Sequence, residues 1–243
     1  MDTQQFERLA AHARTLAEPG PEGARRRILG LAGPPGAGKS TLAARLVDGL
    51  GGLAVLVPMD GFHLARAELV RLGRADRKGA PDTFDAAGYT ALLARLHTPE
   101  LGTTVYAPAF DRSLEEPVAG SVPVGPDVPL VVTEGNYLLH DEGAWAGVLP
   151  LLDEAWYLDL DARLRVPRLI DRHVRFGKDR ARAELWVNAA NAVSAFLGVS
   201  LLRGSSRQWY GWDSARVSRL AGVDVAPRNA PLGAMASRLT HIW

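Results

Sequence analysis

The stretch GPPGAGKS, residues 33–40, constrains the fold more than any other part of this 243-residue chain. It fits G-x-x-x-x-G-K-[ST] and lies between an apolar run, ILGLA (28–32), and a helical pattern through Leu42, Leu46, Val47 and Leu50. A strand, a glycine-rich loop and a helix in that order wrap backbone N–H groups around phosphate oxygens. The helix adds the positive end of its dipole. Gly33, Gly36 and Gly38 allow that close wrapping, and Pro34, Pro35, Ala37 and Thr41 complete the loop and first helical turn. Lys39 is placed to reach β- and γ-phosphates, and the Ser40 hydroxyl to complete a Mg²⁺ shell. The cofactors expected are ATP and Mg²⁺. The bland alternative, a turn that merely starts a helix, is weighed down by the correct flanks.

The rest of the chain reads as the fold in which such a loop works. AVLV (54–57), LVVT (130–133) and AWYLDL (155–160) are continuous apolar runs, as strands covered on both faces are. Helical patterns alternate with them at 64–72, 86–96, 162–176 and 180–196, which predicts an α/β class with three layers. Asp85 is a plausible N-cap for the helix that follows it. TTVYA (103–107) reads as a short strand and the Pro/Gly-rich 115–129 as a hairpin. Phe6, Leu9, Ala10, Ala13, Leu16 and Ala17 give an amphipathic N-terminal helix ending at Pro19-Gly20. Arg25–Arg27 read as a solvated face. The division expected is 1–24 for the N-terminal helix, 25–198 for the main domain and 199–243 for a C-terminal segment. In that segment AGVDVA (221–226) is the strand-like run.

Composition removes several classes. With no cysteine, disulfides, thiolate zinc sites and thiolate catalysis are excluded. A net charge of +1 gives no long-range preference for nucleic acid. No apolar stretch approaches the roughly 20 residues that span a bilayer, and the N-terminus lacks the apolar core of a signal peptide. A cytoplasmic protein with a small-molecule substrate is expected, without nucleic-acid or membrane partners; a homodimer is open to it.

Acids fall at the carboxyl ends of the strands, where ligands of open parallel sheets gather: Asp60 after AVLVPM, Glu134 after LVVT, and Asp159 and Asp161 around the end of AWYLDL. Phosphoryl transfer needs one acid near the metal and one to orient and deprotonate the accepting hydroxyl. Asp60 and Glu134 supply that pair if their strands flank the phosphate-loop strand. Asp159 and Asp161 read better as helix-start residues. Asp60-Gly61 alone reads as turn chemistry, but beside the phosphate loop and Glu134-Gly135 the balance reverses. Without N-K-x-D or LSGGQ stretches, a small-molecule kinase leads over a regulatory or energy-coupling NTPase.

GPPGAGKS, MDGFH, RKGAPDTFD, VYAPAFDR and VVTEGNYLL follow one another as in the uridine kinase, pantothenate kinase and phosphoribulokinase group, and residues 25–180 resemble those P-loop kinases. The resemblance implies a three-layer P-loop NTPase fold, a mostly parallel sheet and a helical lid over about 162–180. It implies Asp60 as catalytic base, Glu134 as the Mg²⁺-associated acid, and transfer of a γ-phosphoryl group to a small polar metabolite, nucleoside or sugar-like. By the same resemblance Arg77, Lys78, Asp82 and Phe84 lie near the acceptor, with Tyr106 and Arg112 on the facing strand and loop. Asn136 and Tyr137 line the same pocket; His63 either touches the acceptor or is an ordinary half-buried histidine. Arg168, Arg172 and Arg175 share a helix face, and Arg172 matches the lid arginine, with Lys178 second. Pro108 stands where pantothenate kinases have a histidine, and DGFH where uridine kinases read D-S-F-Y. A pantothenate-type kinase and a nucleotide-binding protein with reduced catalysis are the alternatives.

Overall fold

The computed structural model describes residues 3–18, 26–98, 102–175, 177, 179–185, 187 and 217–221. The strands are β1 (Arg27–Ala32), β2 (Ala54–Pro58), β3 (Val105–Asp111), β4 (Glu116–Val124), β5 (Leu130–Gly135), β6 (Glu154–Asp159) and β7 (Val217–Ala221). Five of them form a parallel sheet in the order β2-β5-β1-β6-β7, and β3 and β4 pair as a separate antiparallel hairpin. The labelled α-helices are α1 (Thr3–Ala17), α2 (Lys39–Leu50), α3 (Arg66–Arg71), α4 (Ala86–His97) and α5 (Ala162–Arg175).

The three layers follow from the two apolar faces of the sheet. On β1, Leu29 and Leu31 face a core shared with Leu42 and Leu46 of α2 and Ala13 and Ala17 of α1. Ile28 and Ala32 point the other way, into a core with Leu93 and Leu96 of α4, Val105 of the hairpin, and Leu138 and Leu152. Every residue of β5 is buried, as a central parallel strand requires. The Asp85 carboxylate accepts from the Gly88 N–H at 2.8 Å and so caps α4 as its position predicts.

Four expectations need correction. Arg26 is not on a solvated face: only 2% exposed, it donates to the carbonyls of Val128 at 2.9 Å, Leu96 at 3.3 Å and Gly125. It staples the base of β1 to the end of α4 and the loop before β5, satisfying carbonyls that would otherwise be buried unpaired. The strand begun at TTVYA runs on to Asp111, because Pro108 sits at a register shift between Ala107 and Ala109 that tolerates its missing N–H. The last strand is VSRLA, ending at Ala221 where AGVDVA was expected to begin; 222–226 lie outside the described residues. Its mixed polar and apolar sequence hides it from a search for continuous apolar runs. Finally, β2 does not flank β1, because β5 lies between them. The Ala-rich segment is helical over 180–185, and most of its remainder falls outside the described residues.

Candidate active site

Parallel register brings the carboxyl ends of β1, β5 and β2 level. Glu134 stands opposite Leu31 on one side and Pro58 on the other. Beneath it, Tyr89 of α4 donates to the Thr133 hydroxyl at 2.6 Å, and Thr133 donates to the Val57 carbonyl at 2.6 Å. This buried relay locks β5 to β2. Asp60, two residues beyond Pro58 in a single-turn helix (Met59–Phe62), therefore reaches the same cleft despite the intervening strand.

The phosphate loop has the conformation its glycines permit. Gly36 lies at φ +81°, and an added Cβ would stand 3.0 Å from Arg165 Cγ. Gly38 begins α2 without a side-chain cap, which leaves the N–H groups of the first turn for an anion. Lys39, 6% exposed, donates to the Pro34 carbonyl at 3.0 Å and to Asn136 Oδ1 at 2.8 Å. Burial pushes its ammonium down to about 8, with Arg172 and Arg165 adding to the effect and Glu134 and Asp60 opposing it. Ser40 Oγ donates to Glu134 Oε1 at 3.0 Å. Burial first, and Asp60 second, hold the Glu134 carboxyl above the usual carboxylate range; Lys39, Ser40 and Arg112 pull it down.

The acceptor side is a box of rings and charges. Arg112 Nη2 donates to Asp60 Oδ2 at 3.1 Å. His63 Nδ1 lies 2.8 Å from the Asp60 carbonyl oxygen, which can only accept, so the proton sits on Nδ1. The His63 ring packs on Phe84 at 4.0 Å and Phe110 at 5.1 Å between centroids. Burial pushes His63 down, and Lys78 and Arg112 add to the shift against Asp60. Phe84 also meets Tyr137 and Trp145, while the Tyr137 hydroxyl donates to the Gly79 carbonyl. Lys78 donates to the Glu115 carbonyl at 2.8 Å. Asp82 pairs with Arg77 at 2.7 Å at the exposed rim. Tyr106 is not drawn in: it is 60% exposed, between buried Val105 and Ala107.

Gly61 is needed for a reason other than the turn itself. Its φ is not positive; a Cβ there would collide with the Pro108 carbonyl of β3. Gly61→Ala is therefore expected to push the hairpin from the strand end and cost about 1–3 kcal/mol of stability. A lower urea midpoint at unchanged slope checks this.

Helix α5 crosses the loop on a stripe that shares only Arg172 with the predicted face. Arg165 and Leu169 are buried against the loop, Arg165 Nη1 donates to the Pro35 carbonyl at 2.9 Å, and Arg172 continues the stripe. Arg175 is exposed. Arg172 is exposed along its length, yet its head group is lowered by desolvation and by Arg112, with Asp60 and Glu134 opposing, so it lies within their field. Arg165 is the residue the sequence reading missed. Its signal was available, since 165, 169 and 172 are spaced as one helix face. Asn136, expected to line the pocket, accepts from Lys39. Lys178 lies outside the described residues.

Asp161 accepts from the Arg163 N–H at 2.8 Å and starts α5, as expected of a helix-start acid. A family model described as "Phosphoribulokinase / Uridine kinase family" matches residues 28–183. The chain belongs to that family. An "ATP-dependent kinase-like protein" of Aspergillus versicolor is 36% identical over 145 residues, spanning 56% of this chain and 84% of that one. A "Putative uridine kinase" of Schizosaccharomyces pombe is 36% identical over 161 residues, 63% of this chain and 68% of that one. The crystal structure of a "putative fructose transport system kinase" from Silicibacter superposes with a TM-score of 0.69 at 33% identity, covering 78% of this chain and 94% of that one. Membership carries the α/β P-loop kinase fold and ATP-dependent phosphotransferase chemistry at the level of the family. Among the described residues no helix is long and apolar enough to cross a membrane.

Proposed function

We propose that this protein is an ATP- and Mg²⁺-dependent kinase that moves the γ-phosphoryl group to a hydroxyl of a small polyhydroxylated metabolite, nucleoside or sugar-like. The observation that carries the reading is the convergence of Lys39, Ser40, Glu134 and Asp60 on one cleft, with Ser40 and Glu134 already 3.0 Å apart. Among the described residues no group of three or more acids or histidines could cage a metal. One hydroxyl and one carboxylate are what Mg²⁺ takes when phosphates and water fill its other positions. Bound there, the ion would neutralise charge on the β- and γ-phosphates.

The residues of the chain divide the remaining work. Lys39 and the open N–H groups of α2 hold the phosphates. Asp60 accepts the proton of the acceptor hydroxyl as its oxygen bonds to the γ-phosphorus and the bond to the bridging oxygen breaks, releasing ADP. Arg172 faces the charge that spreads over the transferring group. The names of two relatives, a putative uridine kinase and a putative fructose transport system kinase, support a small polar acceptor.

ADP formation across nucleosides, sugars, their phosphates, and hydroxy acids tests the proposal. Acceptor-dependent ADP release and a phosphorylated product are expected. ATP hydrolysis indifferent to every acceptor would replace it with an NTPase.

A further inference from the structure

We propose that the acceptor carries an anionic group, a carboxylate or a phosphate monoester, seated on a shelf formed by Phe110, Lys78 and Arg112. The inference rests on the kinase reading and names the acceptor class for that site. Two cations from different segments stand over one ring: Lys78 Nζ and the Arg112 guanidinium carbon each lie 4.9 Å from the Phe110 centroid. Lys78 arrives from the loop before α4, and Arg112 from the turn after β3. The hydrogen bond of Lys78 goes to a neutral carbonyl, so its charge is not cancelled.

Of the acids nearby, one is paired with cations at the rim and two are held by hydrogen bonds to neutral groups, so none of the three makes an ion pair with Lys78 or Arg112. Asp82 is shared by Arg77 at 2.7 Å and Arg74 at 3.4 Å. Asp111 accepts from the Ser113 N–H and hydroxyl within the hairpin turn, and Glu116 accepts from the Arg66 N–H. His63, beside the ring, is pushed down by burial toward the neutral imidazole and so adds no cation of its own. Lys78 and Arg112 bring two cationic heads to one ring beside the base, and an anion that reaches both is their natural complement.

Arg112 gives the shelf a mechanistic consequence. In this structure its partner is Asp60, and the hydrogen bond from Arg112 occupies the Asp60 Oδ2 that a base must present to the acceptor hydroxyl. An anion on the shelf competes for Arg112 and frees the Asp60 oxygen for the acceptor hydroxyl. A neutral acceptor leaves the Asp60–Arg112 pair in place. The charge of the acceptor therefore contributes to binding and to release of the base.

The test uses matched pairs: fructose and its phosphate monoester, uridine and its monophosphate, glycerol and glycerate. Binding is measured by calorimetry on protein saturated with Mg²⁺ and a non-hydrolysable ATP analogue, and turnover is measured separately as ADP release. At least one phosphate or carboxylate is expected to bind about tenfold or more tightly than its neutral partner, and Lys78→Met to abolish that preference. Arg112→Met is expected to lower kcat as well as raise KM for the anionic acceptor. The phosphate and carboxylate arms identify the anion. Equal binding, preference for the neutral members, or no binding of any anionic member overturns the inference. Selective anion binding without ADP release overturns the kinase reading alone, whereas turnover restricted to neutral acceptors overturns the shelf alone.

Discussion

Asp60→Asn is expected to leave nucleotide affinity intact and lower turnover about 10²–10⁴-fold. The amide keeps the volume of the carboxylate and retains an oxygen that can accept from Arg112, so the ion pair at 3.1 Å is replaced by a hydrogen bond from the guanidinium to a neutral acceptor. What disappears is a group able to take the hydroxyl proton. A second readout separates this from a folding defect. Asp60 is one of the charges that hold Glu134 above its ordinary range, and removing it lets Glu134 ionise at lower pH. The acid limb of Mg²⁺-dependent nucleotide binding should accordingly move down in pH in the variant. Turnover near the parent level would take Asp60 out of the base role.

How much of this site was legible depended on how local each signal was. The phosphate loop, the Asp85 cap and the central strands are each written in a few consecutive residues, and the structure has them where the sequence places them. The level of Asp60 and Glu134 is not local. It arises from register across β2 and β5, set partly by Tyr89, which is 44 residues away from the Thr133 it bonds. Arg26 shows the same limit from the other side. Its neighbours in sequence suggest solvent, and only the return of residues 96, 125 and 128 supplies the carbonyls that bury it. Along α5 the periodicity was visible, but two interleaved arginine stripes compete, and packing of Leu169 on the loop decides between them.

Lys39 yields the second large effect, and its sign depends on which equilibrium is observed. In the protein its pKa falls from 10.5 to about 8, chiefly because burial disfavours the ammonium. Between those values the unfolded chain binds the extra proton, so the contribution of Lys39 to stability rises with pH across that window and is constant below it. Nucleotide binding runs the opposite way. Triphosphate selects the charged ammonium, so affinity should fall as pH rises through about 8, approaching tenfold per unit, with one proton taken up on binding. Lys39→Arg keeps a cation at every pH and should erase that limb. Lys39→Met should flatten the pH dependence of both stability and affinity and lower turnover about 10²–10³-fold, as loss of one preorganised donor to developing charge does. Paired titrations of nucleotide affinity and urea stability from about pH 7 to about pH 9.5 read both signs on one residue. A parent protein whose affinity is flat across that range would show that the lysine held by Asn136 and Pro34 is not the cation the phosphates meet.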